Sequence, residues 1–272
     1  MAYVLNGKFH SDDNLVISWR DPFFATGLGV FETLRTINSA PMFLARHYDR
    51  LMGGAATLQL KSELTLTELR DQVDRLMKAM PTGDARIKIC LLLAEGGVDV
   101  LVTGEEAPPF TPRTEARSIV VQDSPFADGC DLPRTKLWNR MPYALARRTA
   151  EEEGFDDALF MSPQGLLTET TRANLFFVKD GRLCTPKLGD GILPGVTRAV
   201  IINLAKKSSL TLEEGDFPLQ SLLEAEEVFL TGSFSGIQPV YRIEEQRFDP
   251  APGPKTLEVI RLYEREARES IC

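Results

Sequence analysis

Between Gly104 and Glu115 the chain reads GEEAPPFTPRTE, where Pro108, Pro109 and Pro112 rule out both a continuing helix and pairing inside a sheet. A chain interrupted in this way reads as two domains. The division expected is an N-terminal α/β domain over residues 1–112, an interdomain linker at 113–117 and a C-terminal domain over 118–272. With 43% hydrophobic residues among 272, each part has enough apolar material for a core. A net charge of −8 and a pI near 5.0 argue against a nucleic-acid partner, which requires clustered Lys and Arg. No run of apolar residues is long enough to cross a membrane, and the MAYVLNGKF start lacks a charged leader, so a cytoplasmic protein is expected. Cys90, Cys130, Cys184 and Cys272 show no CxxC spacing and read as reduced thiols. His10 and His47 have no ligand cluster near them in sequence, so no metal site is expected.

In the first part, Asn6-Gly7 between apolar residues marks a hairpin over Tyr3–Phe9, and Leu15–Trp19 continues in strand-like fashion. Gly27 and Gly29 allow a tight turn before a strand at Val30–Thr36. Glu32 occupies the position of a third glycine, which excludes a dinucleotide fingerprint. Pro41–Leu44 reads as a short strand and Arg46–Leu60 as a helix carrying Arg50, either a solvated arginine or a fork for a phosphate. Thr65 with Glu68 predicts a capped helix whose Leu69, Val73, Leu76, Met77 and Met80 share one face. Arg86–Ala94 and Val98–Val102 read as strands around Gly96-Gly97.

In the second part, Ser118–Gln122 begins a new sheet, and a polar passage leads to Lys136 ahead of a helix from Pro142 to near Gly154. Strands are expected at Ala158–Met161, Leu166–Thr171 and Asn174–Val178, with turns at residues 162–165 and at Asp180-Gly181. Glu169 falls inside this run, and strand alternation by itself would send it to solvent. Pro194-Gly195 opens a helix whose free N–H groups, with the Thr197 hydroxyl, form an anion site or a plain helix start. A helix at Leu219–Glu227 and a strand at Val228–Leu230 precede a hydroxyl-rich loop from Thr231 to Gly236, which reads as a backbone nest or a simple turn. Pro254–Ser270 closes the chain as a helix with Leu257 and Ile260 inward.

Alone, Lys136 is one of 31 Lys and Arg residues and reads as a surface charge. Beside a carboxylate, an arginine and two anion-binding turns, it completes the set of groups that pyridoxal 5'-phosphate (PLP) requires. The aldehyde needs an amine, the ring nitrogen an anion, and the phosphate needs amides, hydroxyls and a cation.

These residues resemble the class IV aminotransferases, the fold type IV group of PLP enzymes that includes branched-chain aminotransferase, D-amino-acid aminotransferase and aminodeoxychorismate lyase. The likeness runs through NGKF, GVFETLR, HYDRL, KLWNR, GLLTETTRANLF, TPKLGDGILPGVTR and TGSFSGIQPV in the family's order. It implies an α+β/α/β architecture like that of D-amino-acid aminotransferase, with a smaller N-terminal domain of sheet plus helices and a larger, barrel-like C-terminal domain. By motif, it makes Lys136 the Schiff-base lysine and general acid/base, Glu169 the ring-nitrogen partner and Arg50 a phosphate ligand. Val196 and Thr197 hold the phosphate at the helix start, and Ser233 and Phe234 complete the pocket. It further implies a homodimer acting on an amino donor and a keto acid, or a lyase acting on aminodeoxychorismate.

KLWNR replaces the GGNY-type segment usual in branched-chain enzymes and is similar to the lyase pattern, whereas LPGVTR and TGS look more like the transaminases. Thr26-Gly27-Leu28-Gly29 stands where YGDG is common, and Leu93–Gly97 lacks the arginine of the SRG segment. Glu95 in that segment disfavours an anionic substrate group. That substitution also prompts a further alternative, a PLP-binding protein with little catalysis.

Overall fold

The computed structural model describes residues 2–271 except Asp13, Thr114, Asp128 and Asp190, so Cys272 and the linker's Thr114 lie outside the described residues. Its contacts form two units. The first comprises Met1–Thr111, Thr135–Asn139 and Ala267–Cys272; the second comprises Pro112–Arg134 and Arg140–Glu266.

In the first unit, β1 (Tyr3–Leu5) and β2 (Lys8–His10) form a hairpin whose turn residues, Asn6 and Gly7, have φ of 48° and 74°. A type I′ two-residue turn needs this left-handed pair. There follow α1 (Pro22–Thr26), β3 (Gly29–Ile37), β4 (Ala40–Pro41), α2 (Leu44–Thr57), α3 (Leu66–Lys78), β5 (Ala85–Ala94) and β6 (Gly97–Glu106). The sheet order is β2-β1-β6-β5-β3-β4. Period-2 alternation turns Val30 and Leu34 of β3, with Ile87, Ile89 and Leu91 of β5, toward Leu51 and Ala55 of α2 and Leu69, Val73 and Leu76 of α3. Both halves of the expected capping box form at Thr65 and Glu68.

The second unit contains β7 (Arg117–Asp123), α4 (Met141–Glu152), β8 (Asp157–Met161), β9 (Leu167–Thr170), β10 (Asn174–Lys179), β11 (Arg182–Pro186) and α5 (Val196–Lys207). It continues with β12 (Leu212–Gly215), α6 (Leu219–Leu223), β13 (Glu227–Gly232), β14 (Gly236–Ile243), β15 (Gln246–Arg247) and α7 (Pro254–Glu269). The strand order is β12-β11-β10-β13-β14-β7-β8-β9, with β15 on β14. An additional pairing of β9 with β10, at Glu169↔Asn174, closes β10-β13-β14-β7-β8-β9 into a ring. Leu159, Leu175, Phe177, Val228, Leu230 and Val240 fill one apolar cluster of this unit. No described helix in either unit is long and apolar enough to cross a membrane.

Several boundaries differ from the sequence expectation. Leu15–Trp19 forms no strand and joins neither sheet. Without a partner, Val16 and Trp19 stay 88% and 72% exposed. The expected strand at Pro41–Leu44 is only Ala40–Pro41, and Leu44 begins α2. β6 continues to Glu106, paired with Ala85, so the proline-rich interruption starts only at Ala107. The helix expected over Leu219–Glu227 stops at Leu223. Glu227 instead opens β13 opposite Val178, and its carboxylate accepts the backbone N–H groups of Lys255 and Thr256 at the start of α7. On α7, Ile260 is buried but Leu257 is 40% exposed, and Val259 and Tyr263 face inward with Ile260. Finally, Thr135–Asn139 group with the first unit rather than with residues 118–272.

Candidate functional site

Lys136 is mounted on backbone paired to β3. The Phe31 N–H donates to the Lys136 carbonyl at 3.0 Å, the Trp138 N–H donates to the Gly29 carbonyl at 2.8 Å, and Val30 bridges Leu137. This pairing, formed just past the 3₁₀ turn Leu132–Arg134, is why the segment belongs to the first unit. The half-buried Lys136 side chain carries its Nζ to 4.8 Å from the centre of the Phe31 ring. A second amine stands nearby: Lys88 Nζ lies 3.9 Å from the Trp138 ring centre and 4.8 Å from that of Phe31. Burial lowers the Lys88 pKa, against the opposing effect of Cys90.

Glu32 lies on the core-facing side of β3 with Val30 and Leu34 and is 1% exposed. Its carboxylate accepts from Arg50 Nε and Nη2, both at 2.7 Å, and from His47 Nδ1 at 2.8 Å. His47 and Arg50 are three residues apart on α2 and so share a face. Burial alone would raise the Glu32 pKa, but the Arg50 charge and the hydrogen bonds from Arg50 and His47 outweigh it and hold the pKa at about 2. Burial lowers His47 despite its bond to Glu32, and the charges of Arg50 and Lys136 push it the same way. The Nδ1–H of His47 donates to the Glu32 carboxylate. Arg50, expected as a phosphate ligand, is thus held by a carboxylate fork within the first unit.

The remaining expected residues, Glu169, Val196, Thr197, Ser233 and Phe234, belong to the second unit. Glu169 is 4% exposed, so the solvent-facing alternative does not hold. Its Oε2 accepts from Asn174 Nδ2 and from the Leu193 N–H, each at 3.0 Å, and the same Asn174 amide donates to the Leu193 carbonyl at 2.9 Å. Asn174 also reaches the start of α5, where its Oδ1 occupies the space that a Cβ on Gly195 would fill. Gly195 caps α5 without a side-chain bond, so the cap residue itself offers the first-turn N–H groups no side-chain oxygen. Thr197 in that turn and Thr231, the strand partner of Asn174, each bury a hydroxyl that has no hydrogen-bond partner among the described residues.

Ser233 and Phe234 follow at the end of β13, where the Arg113 guanidinium lies 5.9 Å from the Phe234 ring centre. Arg140 donates to the Thr171 carbonyl at 2.7 Å and stacks 3.4 Å above Tyr143. Burial, with the Glu169 charge adding to it, pushes the Tyr143 pKa well up. Cys90, Cys130 and Cys184 carry free thiols, and no acidic, cysteine or histidine cluster among the described residues could hold a metal.

Sequence reasoning did not single out Glu32, His47, Lys88, Asn174 or Thr231 as members of these clusters. Glu32 had a readable signal, since the alternation that buries Val30 and Leu34 also buries the acid between them. For Asn174, the strand-to-strand pairing with Glu169 carries the information, and the linear spacing does not.

The family model described as Amino-transferase class IV matches residues 29–243. A putative branched-chain-amino-acid aminotransferase of Methanocaldococcus jannaschii is 32% identical over 254 residues, covering 90% of this chain and 88% of that protein. An aminodeoxychorismate lyase of Bacillus subtilis is 28% identical, covering 100% of this chain and 96% of that protein. In fold, the chain is similar to a branched-chain amino acid aminotransferase of Thermobaculum terrenum solved in its PLP form. The TM-score is 0.89 at 23% identity, covering 99% of this chain and 94% of that one.

Proposed function

The chain belongs to the class IV amino-transferase family, and from that membership we propose that it is a PLP-dependent aminotransferase acting on an amino acid or related amine. The observation that carries this reading is the start of α5. A helix start with no side-chain cap and two buried threonine hydroxyls without a partner among the described residues suit the oxygen atoms of a phosphate, for which a helix N-terminus is an established environment. The Thermobaculum terrenum relative, whose structure is described as a PLP form, supports the same cofactor.

Lys136 would then hold the cofactor aldehyde through its amine, and the same amine would carry the proton taken from the substrate α carbon. Glu169, held by Asn174 and Leu193, keeps a proton at the ring nitrogen. Val196 and Thr197 hold the phosphate through the helix start, Arg50 offers it a cation, and Ser233 and Phe234 complete its surroundings. When bound, PLP supplies an electron sink for the pair left on the α carbon. The partners are an amino donor and a keto acid, and the working form is a homodimer in the cytoplasm.

A second reading rests on Asn139-Arg140 after Lys136 and on the Bacillus subtilis lyase: elimination of pyruvate from aminodeoxychorismate to leave 4-aminobenzoate. One assay separates the two. Pyruvate released from aminodeoxychorismate without any keto acid supports the lyase, whereas silence there with turnover of an amino acid plus 2-oxoglutarate supports the transaminase. Failure with amino donors of both hands as well would leave a PLP-binding protein with little catalysis.

A further inference from the structure

Glu32 has no part in the chemistry proposed above, yet it is a carboxylate on the core side of β3. Burying a charge is costly, and an apolar side chain of similar size would serve packing at least as well. Its geometry indicates what it does. One carboxylate oxygen takes Arg50 Nε and the other takes Arg50 Nη2, so two parallel bonds fix the plane of the guanidinium. His47, one turn earlier on α2, donates to the second oxygen and fixes the carboxylate in turn. The three side chains form a chain of restraint running from β3 to the arginine, within one unit.

We propose that Glu32 is the positioning residue that orients Arg50 toward the cofactor phosphate, with His47 bracing Glu32. The inference rests on the reading of Arg50 as a phosphate ligand. An arginine left to itself loses rotamer freedom when it meets a phosphate, and one already held in a fork has lost that freedom beforehand. The opposing effect is that Glu32 offsets part of the Arg50 charge. Orientation wins if removing the Glu32 charge weakens phosphate binding, and charge offset wins if removal tightens it.

The test is a titration of the full-length apoprotein with PLP and, separately, with pyridoxal, which lacks the phosphate, followed by visible absorbance. Arg50→Ala and Glu32→Gln should each lower the affinity for PLP roughly tenfold or more, the worth of a charged hydrogen bond. Pyridoxal affinity should change by no more than about twofold, well under the worth of one such bond. The double variant should bind PLP no worse than Arg50→Ala alone, because the two residues act through one contact. Equal weakening of both ligands by Glu32→Gln, or unchanged or tighter PLP binding, overturns the inference when Arg50→Ala still discriminates between them. An Arg50→Ala variant that does not discriminate removes the reading of Arg50 itself, and the inference with it. If Glu32→Gln does not fold, Glu32→Asp replaces it: the shorter acid cannot span both donors and should show the same phosphate-selective loss, and its absence overturns the inference.

Discussion

Asn174 fills the space that any side chain at position 195 would need, so its amide and the start of α5 lie in direct contact. The same amide donates to Glu169 and to the Leu193 carbonyl. One side chain thus links the carboxylate assigned to the ring nitrogen with the helix start assigned to the phosphate.

Gly195→Ala should therefore act on both groups together. The added methyl forces the Asn174 amide away, at a cost of about 1–3 kcal/mol for overpacking, which in a chain of this size lowers Tm by about 3–10 °C. Cofactor affinity should fall along with Tm. Calorimetry and a PLP titration of the variant check this; a variant with normal Tm and normal affinity would show that the contact is dispensable.

Stability should fall with acid in two steps of known sign. His47 is held below its ordinary 6.5 when folded, so on acidification the unfolded chain takes up this proton first, and stability begins to drop as pH passes below that value. Glu32, depressed from 4.5 to about 2, contributes stability that is complete above 4.5 and lost as pH falls toward 2. The Glu32 part amounts to a few kcal/mol. Urea unfolding at pH 7, 5.5 and 4 should show the decline, and His47→Gln should flatten its upper part, between pH 7 and 5.5. An unaltered profile in that variant would assign the decline to other groups.

Thr65→Ala removes the hydroxyl that accepts the Glu68 N–H and should cost about 1 kcal/mol, or roughly 2–4 °C in Tm. Turnover should be unchanged, because α3 contributes none of the residues assigned to the cofactor. Paired Tm and kcat measurements decide it, and a fall in kcat at constant Tm would connect α3 to the chemistry.

What could be read from the sequence was local. Asn6-Gly7 and Thr65/Glu68 carry their own geometry, and both formed as expected. Leu15–Trp19 has strand-like composition, but a strand exists only with a partner, and this segment joins neither sheet. Helix α6 is shorter than its sequence suggests because Glu224–Glu227 suits a helix in isolation, while the demand of α7 for an acceptor at Glu227 is invisible along the chain. Lys136, Arg50 and Glu169 are proposed by motif. Their immediate partners could not be found that way, since Glu32 meets Arg50 across 18 positions and Leu193 meets Glu169 across 24. The burial of Glu169 ran against simple alternation because ring closure puts β9 against β10.

The amine of Lys136, and no other, is expected to bond the cofactor. Lys88 is the natural competitor: it is partly buried, its pKa is lowered by that burial, and it lies against the same Phe31 ring. Borohydride reduction of the PLP-loaded chain followed by peptide mass spectrometry locates the resulting carbon–nitrogen bond. The cofactor mass should appear on the peptide carrying Lys136 alone, and its appearance on the Lys88 peptide, or on neither, would show that Lys136 does not hold the cofactor.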